Sequence, residues 1–363
     1  MKKERYGSLD FLKIIATLTL VFHHYQQLLN VKFEHFWNFC DGQLYLGVLV
    51  EFFFILSGFF MLPWVKRISA GEPGSDFRSF IGRRYRRILP MTALSVIVYE
   101  LICFIIWRFF PDSINGRVVL ELEGAVTSIF GVQSGWCFPN PGINAPIWYI
   151  SVLCLCYILF YFVTYLCRKI GCTPAYGYII IMLIGFSVKM SGIAAPFADQ
   201  WNCRGYISFF EGVLFALLID RFDTDKKRYT VLCLAILAVT FYAFRNHLIG
   251  EYSFVVGFLV YPEIIFLFLR KPVRKLFGGG LWTTLGNIQF HAYLWHAPLL
   301  VVLLFLESLG VHFNTGSVGS MLLFGAFVEL FAAISYFCLE KQMDRLYGWL
   351  LPKSRRPVLQ ETE

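Results

Sequence analysis

Charge is what this chain has least of. Asp, Glu, Lys and Arg make up 15% of its 363 residues, against 57% hydrophobic and 18% aromatic, whereas a soluble domain carries about 25% charged residues. The deficit extends from Leu9 almost to the C-terminus as apolar stretches of about 20 residues, each long enough to cross a hydrocarbon core about 30 Å thick. A soluble globular fold is excluded. The alternating segments of about ten residues that build a membrane β-barrel are missing too. What remains is an all-α, polytopic integral membrane helix bundle, a multi-pass protein of the cell membrane.

Other absences narrow the chemistry. There is no Walker A loop, no H-E-x-x-H and no G-x-S-x-G elbow, so ordinary ATPase and hydrolase readings have no support. The 10 cysteines contain no C-x-x-C or other zinc-like spacing, and no metal site is expected. No internal repeat is convincing, which weakens the case for an inverted-repeat transporter. No linker or low-complexity tract divides the chain, so residues 1–350 read as one domain and 351–363 as a short polar cytosolic tail. The basic Met1–Arg5 segment leads into an apolar stretch too long for a signal peptide and without a small-residue cleavage site, so the first helix is expected to stay in the protein.

The apolar stretches predict about ten spans, at 9–30, 44–65, 88–110, 145–167, 175–190, 205–220, 229–245, 252–269, 287–309 and 319–340. The basic residues test that count. Lys32, Arg108, Arg117, Lys189, Arg204 and Arg245 fall on one side, Lys13 lies within the first helix, and the remaining 25 of 32 Lys and Arg fall on the side of the N-terminus. Such asymmetry places both termini in the cytosol. It also accounts for the net charge of +8 with no nucleic-acid partner. Seven cysteines in spans or cytosolic flanks read as small apolar residues. Cys40, Cys137 and Cys203 fall in outer loops, where two of them could pair. The outer segment Pro111–Asn144 is expected to hold an amphipathic helix around Val118–Ile129.

The first helix, LDFLKIIATLTLVFHHY, carries ionisable groups through apolar sequence. Lys13 and His24 are eleven residues apart, hence about 20° apart around the helix and about 16 Å along it. One face would carry a cation near one end and an imidazole deep inside, and such groups mark functional sites in membranes. Asp10, one turn before Lys13, can pair with it. His23 points about 80° away from the Lys13 face, and adjacent histidines on a helix make a poor metal site. Two readings stand side by side. Either His24 bonds a neighbouring helix while Lys13 snorkels to the headgroups, or His24 is a base in the bundle and Lys13 holds an anionic substrate.

Four further clusters invite the same comparison. Arg83, Arg84, Arg86 and Arg87 precede the span that begins at Ile88 and Pro90; they serve as a positive-inside anchor or as a phosphate-binding fork. In GVLVEFFFILSGFFML, Gly58 permits close helix contact, Ser57 can bond across it, and Glu51 should find a partner towards the outer face. In GNIQFHAYLWHAPLLV, His291 lies near the cytosolic end and His296 further in, ahead of Pro298. Phe36, Trp37, Trp136, Phe138 and Trp201 either form the interfacial belt or stack on sugar rings.

Taken in order, these motifs resemble acyltransferase family 3, over nearly the whole chain. Leu9, Asp10, Leu12, Lys13 and His24 fill the family's opening helix pattern. Phe53, Phe54, Leu56, Ser57, Gly58 and Phe59 match its F-F-x-L-S-G-F segment, and Arg84, Arg87, Ile88 and Pro90 its R-x-x-R-I-x-P segment. Trp148 matches the aromatic that starts a middle span, and Tyr293–His296 (YLWH) a late one. Two positions depart: the first-helix arginine is Lys13 here, and Leu153 and Cys154 stand where many members carry a Glu.

The resemblance implies an O-acyltransferase that moves an acyl group, commonly acetyl, from acyl-CoA to a hydroxyl of a cell-surface carbohydrate or lipid-linked glycan. No bound cofactor is expected; acyl-CoA is the donor substrate. By position His24 becomes the essential histidine, and Lys13, Arg84 and Arg87 contribute to acyl-CoA handling. Asp10, His23, Ser57, Trp148, Tyr293 and His296 are possible supporting residues. Two alternatives stay open: a transporter or flippase for a polar lipid or glycan, whose pathway the same charges would line, and a structural or sensing subunit that tolerates loss of His24.

Overall fold

The computed structural model describes residues 6–39, 46–110, 122–136, 144–246, 248 and 252–350. The first half holds α1 (Gly7–Leu29), α2 (Leu49–Phe59), α3 (Leu62–Ala70), α4 (Phe77–Phe109), α5 (Leu122–Ile129), α6 (Trp148–Lys169) and α7 (Pro174–Ser191). The second holds α8 (Gln200–Ile219), α9 (Lys227–Arg245), α10 (Tyr252–Leu259), α11 (Tyr261–Leu269), α12 (Lys271–Leu276), α13 (Gly280–Ser308), α14 (Val318–Ile334) and α15 (Lys341–Leu350). A π-helical turn, Ser335–Glu340, joins the last two. Among the described residues the only β pairing is an isolated bridge, Ala195–Ala198. The all-α expectation stands.

Eight of the described helices are long and apolar enough to span a bilayer, fewer than the ten spans expected. The other two expected spans are helical and fall short for separate reasons. α1 has 23 residues, but Asp10, Lys13 and the His23–His24 pair dilute its hydropathy. The stretch 252–269 breaks at Val260 (φ −120°, ψ −53°) into two short helices. Pro262 causes this break, because it has no N–H to continue the ladder and its ring crowds the preceding turn.

Two other boundaries differ from expectation. The Arg83–Arg87 run lies inside a single helix of 33 residues rather than ahead of one. Asp76 starts that helix early by accepting the Ser79 N–H at 2.9 Å, which satisfies one of the first-turn donors. The span expected at 44–65 covers Leu46–Ala70, with a corner at Phe60–Met61 between α2 and α3. The expected loop helix is seen from Leu122; its beginning, Cys40, Cys137, Phe138 and the tail 351–363 lie outside the described residues. Cys203 is buried, with its thiol on the Gln200 carbonyl.

Helices in lipid gain little from apolar burial against one another, so close approach of backbones decides which of them pair. α2 and α8 pair through two glycines: a Cβ on Gly58 would collide with the Phe209 carbonyl, and one on Gly212 with the Ile55 carbonyl. α1 packs on α13, where the bare Gly286 receives the Asp10 side chain. Pro298 sits inside α13, and its missing N–H releases the Leu294 carbonyl. Ser95 Oγ of α4 at 2.9 Å and Asn144 Nδ2 at 3.3 Å donate to that oxygen instead. The YLWHAP stretch is thereby tied to α4 and to the start of α6.

Candidate functional site

The site is built where α1 meets α13. His24 Nδ1 stands 2.8 Å from His296 Nε2, with the two rings nearly parallel. His296 is fully buried, and its Nδ1 donates to the Tyr293 carbonyl at 2.7 Å. A carbonyl only accepts, so His296 carries its proton on Nδ1, and in the neutral ring Nε2 holds a lone pair. That lone pair takes the His24 Nδ1–H. The same reasoning leaves His24 Nε2 as the free lone pair, the atom that can receive a proton or attack a carbon. Two histidines and one carbonyl thus fix a tautomer, as a carboxylate partner can do for an imidazole.

His24 lies closer to a helix end than its sequence setting implies. It precedes Leu29, the last residue of α1, by five residues, which is about 7.5 Å. The following loop covers that end. His23 is buried and its Nδ1 bonds the Phe39 carbonyl at 2.8 Å. Gln26 holds the same loop through the Phe39 N–H and Asn38. His23 therefore faces the loop and not His296.

A chain of contacts leads from this pair towards α2. Tyr293 lies 5.9 Å from His296 and 5.9 Å from Tyr149, ring centre to ring centre. Its hydroxyl donates to the Pro146 carbonyl. Tyr149 Oη meets Ser57 Oγ at 3.0 Å and donates to the Phe53 carbonyl at 3.2 Å. Ser57 therefore bonds α6, while its neighbour Gly58 makes the α2–α8 contact. Sequence reasoning missed Tyr149. Its only signal was its place beside Trp148, and without a knowledge of helix neighbours that signal is silent.

The cations gather at the other end. Lys13 Nζ pairs with Asp10 Oδ1 at 2.8 Å and lies 5.0 Å over the Phe60 ring. Arg84 turns inward, between Phe80 and Tyr157, with Nη2 against Met61 Sδ. Lys13 and Arg84 thus touch adjacent residues, Phe60 and Met61, of the α2–α3 corner. Arg84 Nε is buried without a hydrogen-bond partner. Arg83, Arg86 and Arg87 are exposed, and Arg83 rests on Trp64.

Trp148 belongs to another centre. Its ring lies under Arg204 at 4.8 Å and beside Trp201 at 4.6 Å. Arg204 grips Glu51 through Nε at 2.6 Å and Nη2 at 2.8 Å; it is the partner that Glu51 required. His291 is likewise remote from His24: with Trp295 it holds Ser335 in the π-helical turn. Among the described residues no three His, Cys, Asp or Glu side chains stand together as a metal site.

A family model described as an acyltransferase domain matches residues 6–340, more than nine-tenths of the chain. The chain belongs to acyltransferase family 3. No curated protein and no solved structure gives a significant match. Family membership and the apolar helices together make this a multi-pass membrane acyltransferase of the cell membrane. The matched region takes in the His24–His296 pair, the α2–α3 corner and the arginine run alike.

Proposed function

We propose that this acyltransferase moves an acyl group, acetyl in the simplest case, from acyl-CoA to a hydroxyl of a cell-surface carbohydrate or lipid-linked glycan, with His24 as the proton acceptor. The observation that carries the reading is the hydrogen-bond chain from the Tyr293 carbonyl through His296 to His24, which leaves the lone pair on His24 Nε2.

The positive-inside asymmetry puts Lys13 and Arg84 at the cytosolic face, where acyl-CoA is found. Arg84 supports an anion there, because its buried Nε has no acceptor and a guanidinium matches phosphate oxygens. The acceptor hydroxyl attacks the thioester carbonyl while His24 Nε2 takes its proton. A C–O bond forms and the C–S bond breaks. The proton on His24 then passes to the departing thiolate, which leaves as free CoA. While His24 is protonated its Nδ1–H remains on His296 Nε2, so the transient cation keeps a partner. General-base help of this kind contributes about 10²–10⁴-fold. His24 Nε2 could equally take the acyl group first, and an acyl-histidine would then pass it to the hydroxyl.

Washed membranes supplied with acetyl-labelled acetyl-CoA on the cytosolic side test the proposal. Ester-linked label in glycan or lipid, with matching CoA release, should depend on His24. A folded His24→Ala variant that transfers at the normal rate would falsify it. Movement of a glycan or lipid across the membrane without CoA release would instead favour the transporter reading.

A further inference from the structure

A partly open cavity lies between α2, α7, α8 and α10. Glu51, Lys189, Arg204, Ser208, Glu211 and Phe258 are among its lining residues, and the transfer mechanism uses none of them. Arg204, Ser208 and Glu211 are spaced i, i+4 and i+7 along α8. They form one polar stripe about 10 Å long down a helix that crosses the bilayer. The Glu51 pair occupies the Arg204 end.

The other end is unfinished. Glu211 is 7% exposed, and its Oε2 has no hydrogen-bond partner. Glu263 of α11 has a buried, unpartnered Oε2 as well. Buried polar atoms are nearly always satisfied in folded proteins, so an unsatisfied one facing a cavity points to a bound group. Gly257 keeps the space open: a Cβ built there would stand 3.9 Å from Glu211 Oε2, with no nearer neighbour.

The surroundings say what kind of ligand fits. α7 buries only 17% of its span and α9 11%, so this side of the bundle faces lipid. Ile207 and Phe258 give the cavity an apolar wall. Phe258 meets α7 through the Phe186 ring. An amphiphile lying along the exposed face of α7 can reach this wall and bring donors for Glu211. Lys189 and Arg204 in the same lining oppose a bound metal cation.

We propose that this cavity binds the sugar headgroup of a membrane amphiphile, whose hydroxyls donate to Glu211 and whose apolar part lies along Ile207 and Phe258. The site stands whether or not the chain transfers acyl groups by the route above.

The test uses the full chain in phosphatidylcholine nanodiscs doped with a glucosyl diacylglycerol that carries a diazirine in one acyl chain. Phosphatidylcholine with the same photoactive chain is the comparison. Peptides containing Ile207 and Phe258 should be labelled about tenfold more by the glucosyl lipid, the value of one well-made hydrogen bond. Gly257→Leu, which fills the cavity, and Glu211→Leu should remove that excess. Ser208→Ala, a milder change, should reduce it while gel filtration and melting stay normal. Equal labelling by the two lipids, or an excess that survives Gly257→Leu, overturns the proposal. A saturable thermal shift with sodium but not choline, lost in Glu211→Gln, would assign the cavity to a cation and overturn it too.

Discussion

His24 and His296 meet Nδ1 to Nε2 at 2.8 Å, and the second ring is locked in turn by the Tyr293 carbonyl. This geometry fixes which nitrogen of His24 is free, so with His24 as the proposed proton acceptor His296 acts as a positioning residue. His296→Ala should lower kcat by about 10²-fold, the lower bound of a general-base contribution, with the KM for acyl-CoA unchanged. His296→Gln should restore part of the rate, because its amide oxygen can still accept from His24. Steady-state transfer by purified protein separates these outcomes. A His296→Ala enzyme with normal kcat would show that the pair serves packing alone.

The two arginines carried over from the family motif are not equivalent in the fold. Arg84 is inward, with an unpartnered Nε, while Arg87 is exposed beside it. Arg84→Lys keeps the charge but loses the planar fork, so the KM for acyl-CoA should rise about tenfold, the worth of one charge-assisted hydrogen bond. Arg87→Lys should change it less than about threefold, as expected of an exposed ionic contact. Equal effects of the two substitutions would mark the run as a topological anchor.

Much of this arrangement is legible in the amino-acid sequence. The charge deficit gives the helical membrane class, the i, i+3 spacing gives the Asp10–Lys13 pair, and Gly58 announces a close helix contact. Interhelical partners were not legible, because nothing in one sequence tells which helices touch. The Ser57–Tyr149 bond, the His24–His296 pair and the Glu51–Arg204 pair all join helices distant in sequence. Trp148 misled for a related reason. It adjoins Tyr149 in the chain, but neighbours on a helix diverge by about 100°, so Trp148 serves Arg204 while Tyr149 serves Ser57. The break at Val260 could have been read from Pro262; the continuous apolar run concealed it.

Outside the spans, Asp76 offers a pH-dependent test of how α4 begins. Hydrogen bonds from the Ser79 side chain and N–H hold its carboxyl below the usual carboxylate range. A carboxylate so depressed adds stability that is fully present above the unfolded value of about 3.9 and lost as pH falls through the lower folded value. The cap should hold across neutral pH. Asp76→Ala should then speed amide exchange at residues 77–80 about fivefold at pH 7, in line with a cap worth about 1 kcal/mol. Asp76→Asn should stay near wild type, since Asn caps as well. The difference between wild type and Asp76→Ala should shrink below pH 3.9, after correction for intrinsic exchange.

Two glycines should respond to alanine with opposite signs. Gly82 lies in α4 with nothing within 4 Å of a Cβ built there, so Gly82→Ala should stabilise by up to about 1 kcal/mol through helix propensity. Gly58 presses on the Phe209 carbonyl, and backbone cannot yield as a flexible side chain can. Gly58→Ala should push α2 off α8 and lower the melting temperature in detergent. Because Ser57 is the next residue, the same displacement should weaken its bond to Tyr149 and lower acyl transfer in the protein that remains folded. Melting curves with per-folded-molecule rates for both variants decide the matter. If Gly58→Ala melts normally, the α2–α8 glycine contact is not what sets the position of α2, and Ser57 must be held by Tyr149 alone.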